Sequence, residues 1–338
     1  MNLNTVINTD KVLGRGMNGT IYLVKDKNNN KYAMKIQHIM PSNIEKSLKH
    51  QTWRENEFAL VMNKKYPKQF MKLYDYKIDN KCNHKQSWEG FPFKMKDLSK
   101  AEQLYYTKLF ASPYCFIKLW SLIDLTIHDL LNSWKSFNSK MYYDILIQSI
   151  NIIYLINKDG YFHNDFHTRN IGLVKTKDKY INILGSKIET HGYIVQALDF
   201  ELVLHKKYIL KSTEKASLKN NNDIYSIIYL WLWDFADLKH YYKNQKIEEY
   251  KFIDIPKEDR PLLEIYLDGL NLTKYNKEFL LQILYKIIFY EKYEKIILGN
   301  KFEKSIPPRL YVPMNVILYM VKHIYEPENI LRYLLKNK

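Results

Sequence analysis

Strand-like alternation dominates the first third of the chain, and helical periodicity dominates the rest. Lys11-Val12-Leu13 and Tyr22-Leu23-Val24 alternate as strands do, and Tyr32-Ala33-Met34-Lys35-Ile36 follows a Lys/Asp/Asn-rich turn as a third strand. Phe70 to Ile78 reads as a fourth strand and Tyr114 to Leu119 as a fifth. Before the fourth, Asn43 to Lys65 carries an apolar stripe of Leu48, Trp53, Phe58, Leu60, Val61 and Met62 and predicts a helix. Residues 79–113 form an insertion rich in lysine and aromatic residues, and residues 120–125 a connecting stretch. Helices follow at Thr126 to Trp134 and at Met141 to Asn157, the second ended by Gly160. Tyr193 to Leu198 is an apolar strand, and Asn222-Asp223 opens an apolar helix through Trp233. Helical periodicity recurs at Leu262 to Leu267, Phe279 to Tyr293, Val312 to Tyr325 and Ile330 to Leu335. No internal repeat or Gly/Ser linker divides the chain, so a single domain over 1–338 is expected.

Several polar motifs interrupt this pattern in a telling order. Gly14, Gly16 and Gly19 sit between the first two strands as G-x-G-x-x-G. A tight hairpin there suits phosphate, because a Cβ would keep backbone amides from phosphate oxygens. The rival reading, a dinucleotide-binding turn, wants a helix straight after the glycines; here a second strand follows. Lys35 lies in the third strand, and Arg54-Glu55-Asn56-Glu57-Phe58 lies in the first expected helix. Glu55 and Glu57 are about 200° apart on a helix, so only one of them can face that lysine. Glu55 is the choice and Glu57 the fallback. After the apolar pair Tyr161-Phe162 comes His163-Asn164-Asp165-Phe166-His167-Thr168-Arg169-Asn170, and later Asp199-Phe200-Glu201 and Asp223.

This ordered set resembles the eukaryotic-type protein kinase superfamily across roughly residues 8 to 235. In that family the loop reads H-R-D-x-x-x-x-N, and the strand lysine pairs the nucleotide's α- and β-phosphates. The resemblance implies an α+β, two-lobed fold. An antiparallel sheet with one helix would make the N-lobe at about 1–119, a hinge would lie at about 120–125, and a mainly helical C-lobe at about 126–338. It implies ATP and Mg²⁺ as cofactors. It casts Asp165 as the group that accepts the acceptor hydroxyl's proton, Asn170 and Asp199 as metal ligands, and Lys35 held by Glu55 as the phosphate anchor. Gly14, Gly16 and Gly19 would cover the phosphates, and Ser121 and Leu122 would offer backbone to adenine. Asp223 would brace the catalytic loop, a role compatible with that of a helix N-cap. Glu201 departs from the D-F-G pattern, and a residue with a Cβ resists positive φ. Asn164 departs from H-R-D and removes the cation that receives an activation-loop phosphate.

Within the superfamily, His167, the long 180–195 excursion and the short span from Asp199 to Asp223 without A-P-E resemble haspin-like kinases and the Ser/Thr kinases of large DNA viruses. A protein substrate phosphorylated on Ser/Thr is therefore expected. Choline and aminoglycoside kinases share H-N-D-x-x-x-x-N and a D-F-E-like triplet, so a small-molecule phosphotransferase is the alternative. A pseudokinase would lack Lys35, Asp165, Asn170 or Asp199, and all four are present.

Composition fits an enzyme with a sizeable core, at 338 residues and 46% hydrophobic. The longest apolar run, Ile227 to Trp233, is too short to span a bilayer, and the first residues lack a signal-peptide pattern. Two cysteines, Cys82 and Cys115, are too few for a disulfide framework or a four-cysteine zinc site, and Cys82-Asn83-His84 reads as a solvated loop. An intracellular, soluble protein is expected, in host cytoplasm or virion if viral. The net charge of +16 favours anionic partners such as nucleic acid. The lysines are scattered, however, and read first as solvated surface.

Overall fold

A computed structural model describes residues 2–16, 19–82, 96, 98–132, 139–208, 211–215, 223–224, 226–228, 253–270, 272, 274–289, 292–293, 295–296 and 313–338. Several expected features fall outside these residues: Met17 and Asn18 of the glycine turn, most of the insertion's first half (83–95 and 97), positions 133–134, Asn222, Tyr225 and 229–233, positions 290–291, and Val312. The fold is α+β. The chain separates into two compact units, one of 1–124 with 200–203, the other of 125–199 with 204–338.

In the first unit, β1 (Val6–Gly16), β2 (Gly19–Asp26), β3 (Lys31–His38), β4 (Leu73–Asp79) and β5 (Cys115–Ser121) form one antiparallel sheet in the order β1-β2-β3-β5-β4. Alternation gives the sheet two faces. Val24 and Leu119 pack with Leu3 on one cluster, while Trp53 of helix α1 (Gln51–Lys65) meets Ile39 and Phe116 in another. A third cluster is aromatic: Phe58 of α1 lies against Phe70 and Phe200, and Trp120 meets Phe200 edge-on. Phe200 is fully buried there, which stabilises the unit by about 1.5–3 kcal/mol.

The helix expected from Asn43 starts only at Gln51. Ser47 explains the delay: its hydroxyl accepts the Lys49 N–H at 3.3 Å and its carbonyl accepts the His50 N–H at 3.0 Å. Such local bonds compete with a helix, and Leu48 falls outside the stripe. The insertion holds helix α2 (Lys100–Phe110), which begins with a reciprocal Ser99–Glu102 capping box. Cys82 and Cys115, too few for a disulfide framework, are bonded to each other, with Cα atoms 5.3 Å apart. The bridge reinforces a chain closure already made by the Cys82 N–H donating to the Pro113 carbonyl at 2.9 Å.

In the second unit, β6 (Leu125–Thr126), β8 (Ile171–Lys175) and β11 (Tyr193–Ala197) form a three-stranded sheet, and β7 (Tyr161–Phe162) pairs with β12 (Leu204–His205). The excursion at 180–195 opens with a hairpin of β9 (Tyr180–Ile183) and β10 (Ser186–Glu189). Its two-residue turn, Leu184-Gly185, has φ of 48° and 85°, as right-twisted hairpins require. Helix α3 (Ile127–Asn132) precedes the long α4 (Ser139–Lys158). The isoleucines of α4 at 145, 147, 150, 152, 153 and 156 are buried, so this helix is the unit's spine. The chain ends in α5 (Arg260–Glu264), α6 (Lys274–Ile288), α7 (Met314–Lys322) and α8 (Pro327–Lys336), with α8 packed on α4. Among the described residues no helix is long and apolar enough to cross a membrane.

Candidate functional site

The first unit assembles the glycine turn, the strand lysine and the helix glutamate. Gly16 and Gly19 pair across the β1–β2 hairpin. Gly19 has a φ of 143°, and a Cβ there would stand 2.4 Å from the Ile36 carbonyl oxygen. Its glycine is therefore demanded by the close approach of β3. A Cβ at Gly14 would meet nothing within 4 Å.

Lys35 Nζ lies 3.5 Å from Glu55 Oε1. The register of α1 turns Glu55 inward, with 1% of its surface exposed, and leaves Glu57 only partly buried. Two further charges, neither expected from the sequence, join the cluster. Lys35 also donates to Glu201, and the other oxygen of Glu55 accepts from Lys118, a wholly buried lysine of β5. Lys118 Nζ reaches Gln37 Oε1 at 3.1 Å, and Gln37 in turn donates to the Thr52 hydroxyl at 3.3 Å. Burial lowers the Lys118 pKa, and the Glu55 carboxylate opposes that shift. A lysine inside the apolar run Cys115 to Trp120 was the available signal, because charges in such strands are rarely buried unpaired.

The residues assigned to the hinge are placed differently from the expectation. Trp120 and Ser121 belong to β5, and the Ser121 N–H is taken by the Lys72 carbonyl at 2.8 Å. The Ser121 hydroxyl accepts the Lys72 N–H at 2.9 Å. Strand pairing thus extends further than the apolar pattern suggested, and Leu122 and Ile123 are the first residues beyond it.

The second unit holds the Asp165 loop. Asn170 folds its amide back to donate to the Asp165 carbonyl at 2.9 Å and to Asp165 Oδ2 at 3.0 Å. The Asn170 N–H reaches the His167 carbonyl at 2.8 Å, closing the turn, and His167 Nε2 lies 3.6 Å from Asp165 Oδ1. His163, fully buried, places Nε2 2.8 Å from the Leu198 carbonyl, and the Leu198 N–H donates to the Asn170 carbonyl at 2.9 Å. These bonds tie the loop to the strand end that delivers Asp199. Asp223 accepts the N–H groups of His163 and Asn164, each at 2.8 Å. Its burial raises its pKa, opposed by His163 and by those two N–H groups. Positive φ occurs at Asn164 (65°) and Asp199 (50°) and not at Glu201. Asp and Asn are the side chains that best tolerate that region. Comparison with protein-family models gives no match for this chain, and comparison with curated proteins gives none either.

Proposed function

We propose that the chain is an ATP- and Mg²⁺-dependent protein kinase that phosphorylates Ser/Thr hydroxyls. The observation that carries this reading is the Lys35–Glu55 ion pair between β3 and α1 of an antiparallel sheet. The same sequence supplies an Asp165 loop cross-braced by Asn170. Lys35 takes the α/β-phosphates, and the glycine hairpin covers them with backbone N–H groups. Asp165 orients the acceptor hydroxyl and accepts its proton. Asn170 and Asp199 hold the metal. Oxygen donors of this kind suit Mg²⁺: with the Asn170 nitrogen engaged by Asp165, its amide oxygen is the end that faces a cation. Mg²⁺, when bound, neutralises charge developing on the transferred phosphoryl group. His163 and Asp223 position the loop without touching the reacting atoms.

A small-molecule phosphotransferase is the second reading, favoured specifically by Asn164 in H-N-D and Glu201 in D-F-E. One experiment separates the two. The purified chain is incubated with γ-labelled ATP and Mg²⁺ against a mixed protein panel and a choline/aminoglycoside panel, with phosphoamino-acid analysis of the products. Phosphoserine or phosphothreonine, absent with Asp165→Asn, supports the kinase. Label confined to small molecules establishes the second reading, and no transfer to either panel removes both.

A further inference from the structure

We propose that Lys118 is a positioning residue of the phosphate-binding apparatus, fixing Glu55 so that Glu201, and not Glu55, is the partner Lys35 exchanges for a polyphosphate. The proposal rests on the nucleotide-binding assignment of Lys35 made above. Its basis is the β3–β5 register, which sets Lys35 directly opposite Lys118. Opposed residues of an antiparallel pair share one face, and like charges so placed destabilise it. Here α1 inserts Glu55 between them, one carboxylate oxygen toward each ammonium. Lys35 also meets Glu201, and Lys118 also meets Gln37. Two ammonium and two carboxylate groups thus meet in a largely dry cluster.

The four members differ in reach. The side chains of Lys118 and Glu55 are 0% and 2% exposed, those of Lys35 and Glu201 12% and 7%. Lys118 therefore cannot meet a ligand, and whatever it does passes through Glu55. With Lys118 in place, Glu55 is already neutralised and draws Lys35 only weakly, at 3.5 Å. Without it, Lys35 would be left to balance a buried carboxylate, and withdrawing it would leave that charge uncompensated, which is costly. The glutamate that replaces glycine in D-F-G thereby acquires a role, because Glu201 keeps Lys35 paired until phosphate arrives.

The test is a double-mutant cycle on the full chain, Lys118→Met, Glu55→Gln and the pair together, with Glu201→Gln alongside. Two quantities are read for each variant. One is the MgATP dissociation constant by calorimetry. The other is the rate at which acetic anhydride labels Lys35 in nucleotide-free protein, followed by peptide mass spectrometry. Lys118→Met keeps the stem's volume and is expected to weaken MgATP about tenfold, the size of a coupled charge pair. It also slows labelling, because removing a neighbouring positive charge leaves less of Lys35 as neutral amine. Glu201→Gln moves both quantities the opposite way. In the double variant the loss of Lys118 adds nothing to the loss of Glu55. Additive effects, or a Lys118→Met protein that melts lower with affinity and labelling within about twofold of wild type, overturn the proposal and leave Lys118 a packing residue. If Lys118→Met does not fold, the double variant, which removes the buried pair together, and Glu201→Gln decide. If wild type binds no MgATP, the kinase reading fails, and the labelling rates alone judge the cluster.

Discussion

Asp223 accepts the backbone N–H of Asn164 at 2.8 Å, and Asn164 carries a left-handed φ of 65° immediately before Asp165. The same carboxylate takes the His163 N–H with its other oxygen. Two successive amides are thereby aimed at one buried acceptor, which fixes the turn that presents Asp165. Asp223→Asn keeps one oxygen but points an N–H₂ at the second amide. Hydrogen bonds to charged groups are worth about 1.5–3 kcal/mol, so a loss of that size is expected in urea unfolding. Phosphotransfer measured under conditions where both proteins are folded should fall as well. An unchanged rate would reduce Asp223 to a helix cap.

Asp165 and Asp199 yield a sharper outcome. Removing a general base costs roughly 10²- to 10⁴-fold in rate, so Asp165→Asn should lose transfer by that factor while binding MgATP within a few-fold of wild type. Asp199→Ala should lose the metal-dependent part of nucleotide binding as well. Single-turnover transfer together with calorimetry at varied Mg²⁺ checks both. Full activity in Asp165→Asn would end its assignment as base.

The sequence showed most where a residue's local context constrains it. Glycine-flanked alternation marked β1 to β3, and the 3.6-residue period marked α1 and α4 apart from their ends. The spacing of Asp165 and Asn170 marked a shared loop, but not that Asn170 donates back to Asp165. Long-range pairing was harder to see. Glu201 looked like a flaw in a motif because its partner, Lys35, lies 166 residues away. Lys118 was passed over inside an apolar strand, since nothing local reveals that α1 supplies it with a carboxylate. Two cysteines were read as too few for a disulfide framework, and nothing local showed that positions 33 residues apart would meet in one bond. Helix α2 was missed despite its Ser99–Glu102 cap, because the aromatic-rich insertion around it has no clean period.

Lys286 of α6 is a nearly buried lysine, its ammonium 5.0 Å from the Tyr293 ring centre. Burial pushes its pKa down to about 7. The ordinary value is 10.5, so between these two the unfolded chain binds the extra proton and the folded one does not. Stability therefore rises with pH across that window, and the penalty of a buried charge is complete below about pH 7. Lys286→Met should stabilise the protein at pH 6–7 by about 1–3 kcal/mol, as apolar replacement of buried ionic groups does. That advantage should shrink steadily toward pH 10. Chemical denaturation of both proteins across this range checks it, and a pH-independent difference would mean that Lys286 reaches water when charged.

Regulation follows from what stands beside Asp165 and after Asp199. Kinases switched by phosphorylation capture a phosphate on a long activation segment with the arginine of H-R-D, and the new charge-assisted bonds order the segment. Asn164 offers no such cation, and its backbone is already held by Asp223. Ser212 and Thr213, two hydroxyl residues of the short segment, are exposed in a helical turn. The Lys211 N–H caps that turn by donating to the Glu214 carboxylate at 2.8 Å. The turn thus has local order in the unmodified chain. Phosphatase treatment of the purified protein should thus leave its transfer rate unchanged, and Ser212→Ala with Thr213→Ala should match wild type. The competing arrangement uses Arg169 or Lys206 as the phosphate's partner. In that case dephosphorylation would cut activity sharply, autophosphorylation at Ser212 or Thr213 would restore it, and Arg169→Gln or Lys206→Gln would abolish the recovery.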